Sequence, residues 1–338
     1  MSVRIAVLGA GRIGQVHARA IAGHDAAVLA AIADPIVAAA NVIADQYGCD
    51  VRTIDEIAAS DDVDGVIICT PTDTHADLIE KFVHCGKAIF CEKPIDLGVD
   101  RVRACLEVVN KAGALLMVGF NRRFDPHFAA LKAAINNGDI GVSEMAVITS
   151  RDPGAPPVDY IKRSGGIFRD MTIHDFDMAV FLMEEMPVNI QASGSVLVDP
   201  AIGDAGDYDS ASVIMTMASG KQVTISNSRR ATYGYDQRIE VHGSKGMVAA
   251  ENQRPVLIEI ANKTGYTRPP LHDFFMTRYI DAYAHEITAF VDCIVNGTPA
   301  SPDGQDGLNA LRIADAALLS AQTGQAVHLK AGFAKDSD

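Results

Sequence analysis

Between Gly165 and Met183 the chain reads GGIFRDMTIHDFDMAVFLM, placing Asp170, His174, Asp175 and Asp177 within about two turns of an otherwise apolar segment. On one continuous helix, Asp170 and His174 stand four residues apart on a shared face and Asp177 extends that row. Ile173, Phe176, Val180 and Met183 then form the buried stripe, so the polar row is a separate edge able to look into a cleft between domains. A histidine beside a carboxylate suits removal of a hydroxyl proton: an unperturbed imidazole titrates near pH ~6.5, and the carboxylate orients and stabilises the imidazolium. A lysine ammonium completes such a set by holding the hydroxyl oxygen and the charge that develops on it. Lys93, in CEKPI, takes that part, with Pro94 fixing the adjacent backbone. Together the three suit oxidation of an alcohol with hydride transfer to a nicotinamide cofactor. His174, Asp175 and Asp177 do not make a metal shell, because Asp175 points away from the other two at helical spacing and no further His or Cys cluster completes it. A structural histidine and a surface lysine before a turn are the competing readings, so the surrounding elements must decide.

The first third of the chain alternates apolar runs (VRIAVLG, AAVLAAIAD, DGVIICT, KAIFCEK, ALLMVGF) with amphipathic segments, the pattern of a parallel sheet covered by helices. Gly9-x-Gly11-x-x-Gly14, enclosing Arg12 and Ile13, lies directly between the first strand and the first helix. There Gly9 permits a tight turn, Gly11 lets the backbone approach a pyrophosphate, Gly14 allows close helix packing, and the helix N-terminus offers N–H groups to the anion. Asp34, at the end of the second run, is placed to hydrogen-bond an adenosine ribose. A carboxylate there repels the extra phosphate of NADP, and the following PIVAAANVIA has no Lys or Arg to neutralise it, so the expected cofactor is NAD. Thr70, Pro71, Thr72 and His75 in ICTPTDTH, and Glu92 with Lys93, end two further strands and border the same crevice. His75 has the alternative of capping a helix start.

After Phe120 come EMAVITSR, VNIQASGSVL, SASVIMTMA, KQVTISNS, QRIEVHGS and GMVAAEN in near succession, a largely antiparallel open sheet with helices before it and two helices closing the chain. The expected architecture is α/β: a Rossmann doubly wound parallel sheet over residues 1–120, then an α+β substrate and oligomerisation domain over 121–333, with the polar tail AKDSD frayed. A net charge of −14 argues against a nucleic-acid partner, since no basic cluster larger than Arg122-Arg123 or Arg229-Arg230 reverses it. No apolar run reaches the ~20 residues of a membrane span, and no signal peptide opens the chain, so a cytoplasmic location is expected. The six cysteines contain no C-x-x-C pair and read as buried reduced thiols.

GAGRIG, the tripeptide Glu92-Lys93-Pro94 and GGIFRDMTIHDFDM together resemble the Gfo/Idh/MocA family of oxidoreductases, and the resemblance spans nearly the whole chain. The last motif, with YGYDQRIEVHGSKG from Tyr233 to Gly246, is similar to its inositol 2-dehydrogenase branch. The resemblance implies a catalytic trio of Lys93, Asp170 and His174, the set reached above from chemistry. It also implies a homotetramer assembled through the C-terminal sheets and a polyol substrate, with contacts from Arg123, Tyr235, Tyr160 and Tyr233. The expected reaction is oxidation of a ring hydroxyl of myo-inositol to the 2-ketone. The loop SRDPGAPPVDY departs from the inositol-specific pattern, which leaves scyllo-inositol, D-chiro-inositol and glucose as rival substrates. A sugar or NAD sensor without catalysis is the rival from another class; the presence of both Lys93 and His174 argues against it.

Overall fold

The computed structural model describes residues 2–329, so the tail AKDSD and the last residues of the 121–333 span lie outside the described residues. The chain forms two compact units: Met1–Asp125 with Ile280–Leu311, and Pro126–Tyr279 with the residues from Arg312 onward.

In the first unit, strands β1 (Val3–Leu8), β2 (Ala27–Ala33), β3 (Asp50–Val51), β4 (Gly65–Ile68), β5 (Ala88–Glu92) and β6 (Leu116–Gly119) make one sheet in the order β3-β2-β1-β4-β5-β6. All its pairings are parallel. Helices α1 (Arg12–Ala22), α2 (Val37–Tyr47), α3 (Ile54–Ala59), α4 (His75–His84) and α5 (Val99–Ala112) connect the strands. β4 is buried along its whole length and β1 nearly so, which explains why both read as unbroken apolar runs. The strand order reverses between β1 and β4, and a doubly wound sheet opens a ligand crevice at the carboxyl ends of the strands at that point.

The second unit contains α6 (Pro126–Asn136), β7 (Ser143–Arg151), α7 (Val158–Ser164), α8 (Gly166–Asp170), α9 (Ile173–Met183), β8 (Pro187–Ser195), α10 (Pro200–Asp204), β9 (Ser210–Met217), β10 (Gln222–Ser228), β11 (Asp236–Gly243) and β12 (Gly246–Ala250). A small hairpin, β13 (Ile260–Asn262) with β14 (Gly265–Thr267), and α11 (Phe275–Arg278) follow. Its sheet runs β12-β11-β7-β10-β9-β8 and then the late strand β15 (Val327–His328), antiparallel throughout except for the parallel pair β7 and β10. β9 and β10 alternate buried and solvent-facing residues, so one face is core and the other open. The open face carries Met145, Val147, Ile214 and Met247, which the register sets in two adjacent rows across β12, β11, β7, β10 and β9.

Beyond the division expected at residue 120, a later segment packs with the first unit. Helix α12 (Ile280–Asn296) and the first part of α13 (Gly304–Thr323) belong with the first unit. The reason is apolar: Ile287, Phe290 and Val291 enter the same core as Ile5, Val7, Ile67 and Phe90, with the Phe90 and Phe290 rings edge-on at 5.8 Å. Burying one such aromatic contributes about 1.5–3 kcal/mol, enough to fix where a helix docks regardless of its distance in sequence.

All six cysteines are free thiols; Cys69, Cys91, Cys105 and Cys293 are buried, whereas Cys85 is exposed. Burial pushes the Cys69 and Cys91 thiols well above their ordinary range and Cys105 up to about 12, so these three are packing residues and not nucleophiles.

Candidate active site

The glycine loop leaves β1 through Gly9, whose φ of 104° lies in the region that favours glycine. A Cβ at Gly9 would sit 2.7 Å from the Cys69 carbonyl oxygen, and one at Gly14 would sit 1.9 Å from that of Gly9. At Gly11 nothing lies within 4 Å of the added carbon, so this glycine faces open space. Gly11 caps α1 and makes no side-chain hydrogen bond to its first turn, whose N–H groups point the way a helix N-terminus offers them to an anion. Arg12 is exposed and Ile13 half-buried beside them. Asp34 leans over the same loop: its Oδ2 accepts from the Ala10 N–H at 2.7 Å and its Oδ1 from that of Ile36, also at 2.7 Å. Each oxygen keeps a second acceptor direction for a ribose hydroxyl. A cradle that Cβ atoms would fill, a helix N-terminus capped by glycine and a braced carboxylate fit NAD.

The loop after β4 is stitched to itself. The Thr70 and Thr74 hydroxyls lie 2.6 Å apart, and Thr74 Oγ1 donates to the Pro71 carbonyl at 2.7 Å. Thr72 opens the short turn Thr72–Thr74 and Pro71 is exposed. His75, expected beside the cofactor, is 2% exposed, with Nδ1 2.8 Å from the Pro94 carbonyl oxygen and Nε2 2.7 Å from that of Thr70. Both ring nitrogens are engaged by main chain. Glu92 is also turned inward, with Oε1 2.6 Å from Nε2 of His17, a fully buried residue of α1. Lys93, half-buried at the end of β5, precedes Pro94 through a cis peptide bond.

In the second unit Asp170 ends α8 and His174 stands in the first turn of α9, so the single helix expected over this stretch is two. Thr172 breaks it. Its N–H and its hydroxyl both bond the Ile167 carbonyl, and the hydroxyl also lies 2.8 Å from Asn227 Oδ1, so the side chain competes with the helical ladder. The polar row is corrected too. Asp177 is buried and Val180 partly exposed, while Asp175 is fully buried and accepts from Ser150 Oγ at 2.6 Å and Asn227 Nδ2 at 2.7 Å. Asp175 ties α9 to β7 and β10.

Asp170 is held from two sides: Tyr160 donates to Oδ1 at 2.9 Å, and Nη2 of the buried Arg229 lies 3.4 Å from Oδ2. Arg229 also lies 3.9 Å from Asp207, whose carboxyl burial pushes above its ordinary range. Tyr160 is thus an organiser of Asp170. Arg123, nominated for substrate, pairs with Asp306 at 3.1 Å. Tyr233 donates to Asp236 at 2.5 Å and accepts from Arg151 at 3.2 Å; burial, then Asp236, raises its hydroxyl above the ordinary value. Tyr235 is buried edge-on against Phe274 and Tyr279, a packing position. His17, Arg229, Asp207, Asp236 and Asp306 were not found from sequence, because each acquires its partner only through the fold. Among the described residues no group of three His, Cys, Asp or Glu is arranged to hold a metal, and no helix is long and apolar enough to cross a membrane.

A parallel six-stranded sheet with this glycine loop, joined to a mixed open sheet, defines a nucleotide-dependent oxidoreductase, and the chain belongs to the GFO/IDH/MocA family. The family model described as oxidoreductase family, NAD-binding Rossmann fold, matches residues 3–120, and that of the GFO/IDH/MocA C-terminal domain matches residues 128–249. The inositol 2-dehydrogenase of Rhizobium meliloti (strain 1021) is 69% identical over 320 residues, covering 95% of this chain and 97% of the relative. Among solved structures, the myo-inositol dehydrogenase of Corynebacterium glutamicum is 46% identical with a TM-score of 0.95, covering 98% of this chain and 100% of that one. The scyllo-inositol dehydrogenase of Lactobacillus casei, solved with bound NAD(H) and scyllo-inositol, is 28% identical with a TM-score of 0.91, covering 97% and 99%.

Proposed function

We propose that this protein oxidises a ring hydroxyl of myo-inositol to the 2-ketone with NAD as hydride acceptor, His174 serving as the base. The observation that carries the site is Asp170, braced between Tyr160 and Arg229 and followed by His174 at the opening of α9. When bound, NAD accepts the hydride from the carbinol carbon. The ammonium of Lys93 holds the hydroxyl oxygen and stabilises negative charge on it, and His174 takes its proton. Asp170, braced by Tyr160 and Arg229, orients and stabilises the imidazolium that results. Asp34 selects NAD, since its carboxylate repels a 2′-phosphate.

The substrate assignment rests on the 69% identity to a protein named for inositol. With NAD, absorbance of the reduced cofactor is expected to rise on myo-inositol, faster than on scyllo-inositol, D-chiro-inositol, glucose or xylose, and far slower when NADP replaces NAD. Activity confined to another member of that panel changes the substrate and keeps the chemistry. Silence throughout, with NAD still bound, overturns the catalytic reading.

The open face of the second sheet, with Met145, Val147, Ile214 and Met247 between 45% and 51% exposed, supports a homotetramer joined through these sheets. Sedimentation equilibrium is expected to return four chain masses; a monomer at micromolar concentration would refute the assembly.

A further inference from the structure

His75 opens α4, is almost fully buried, and meets two main-chain carbonyl oxygens, that of Pro94 at 2.8 Å from Nδ1 and that of Thr70 at 2.7 Å from Nε2. Neither oxygen can donate. A neutral imidazole carries one N–H, so it would satisfy one carbonyl and turn a lone pair against the other at hydrogen-bond distance. Only the imidazolium donates to both. Burial, the largest influence, pushes the imidazole below its ordinary range and the ammonium of Lys93 acts in the same sense, while the two carbonyls and the carboxylate of Glu92 favour the charge. Against that net direction stands the geometry: both ring nitrogens face acceptors in a site closed to water, where a lone pair turned on a carbonyl oxygen at hydrogen-bond distance is costly and a second N–H is charge-assisted.

The two carbonyls are not arbitrary. Thr70 begins the loop after β4, which the self-bonded Thr70, Thr74 and Pro71 make stiff. Pro94 immediately follows Lys93 beyond β5. We propose that His75 is a protonated staple that joins these two loops and thereby fixes the main chain from which Lys93 reaches the substrate. His75 is a positioning residue, acting through Lys93, and the proposal rests on the reading of Lys93 as a catalytic group.

The test is a two-bond proton–nitrogen NMR spectrum of the full-length protein labelled with 15N-histidine, at pH 7.5, alongside the kinetics of His75→Gln and Lys93→Met. His75 is expected to show both ring nitrogens protonated. Its glutamine variant keeps one amide donor and cannot span both carbonyls, so kcat should fall about tenfold or more while the KM for NAD stays within about twofold. A single protonated ring nitrogen overturns the staple whatever the variants do, and needs no variant to fold. Two protonated nitrogens with an unchanged kcat in His75→Gln overturn the positioning role. An active Lys93→Met protein instead overturns the reading of Lys93, and is separable because the spectrum reports His75 alone.

Discussion

Replacing His174 by alanine is expected to lower turnover on the inositol substrate by ~100-fold or more while the affinity for NAD stays within about twofold. The argument is geometric. His174 stands half-buried in the first turn of α9, next to the break at Thr172, and its fold-mate Asp170 is immobilised by Tyr160 and Arg229. An imidazole so placed is worth having only if it accepts a proton during the reaction, and alanine removes that acceptor without touching the glycine loop or Asp34. The buried ties of α9 run through Asp175 to Ser150 and Asn227, so the helix keeps its seat when His174 is truncated. The chain has no tryptophan, so NAD binding is best read by calorimetry in parallel with the turnover assay. A fully active variant would remove His174 from the chemistry; loss of NAD binding together with turnover would mark it as structural.

The second large effect separates two glycines that look alike in sequence. Alanine at Gly14 drives its Cβ to 1.9 Å from the Gly9 oxygen and 3.0 Å from the Gly9 carbonyl carbon, both main-chain atoms that cannot rotate away. Overpacking of this kind costs about 1–3 kcal/mol or more of stability, so the melting temperature drops, and because the displaced atoms belong to the loop that must approach the pyrophosphate, NAD is expected to bind at least about tenfold more weakly. Alanine at Gly11 meets nothing within 4 Å, so the protein alone should be as stable as before. Its methyl group nevertheless stands where a pyrophosphate must approach the backbone, and NAD affinity should fall about tenfold or more. Thermal melts and calorimetric titrations of the pair give the decision. Unchanged NAD affinity in Gly11→Ala would mean that the pyrophosphate lies elsewhere.

Much of this protein is legible along the chain. Unbroken apolar runs pointed to the buried parallel strands, strand-like runs in near succession to the largely antiparallel sheet, and Gly9, Gly11, Gly14 and Asp34 to a nucleotide crevice, because each of these signals is local. The positions of Lys93, Asp170 and His174 were legible as residue types in motifs.

What the fold alone decided are the contacts between residues far apart in sequence. Arg229 reaches Asp170 across 59 residues, Glu92 meets His17 across 75, and Thr172 breaks its helix through an asparagine 55 positions away. No periodicity encodes these meetings. They follow from strand order and helix docking, which bring polar groups together inside, where each buried donor or acceptor must find whichever partner the topology supplies. Helix α12 makes the same point for apolar groups. Its amphipathic pattern specified that one face would be buried, whereas the core of the first unit determined where. Local sequence determines which atoms seek burial or a partner; only the closed chain determines which ones they find.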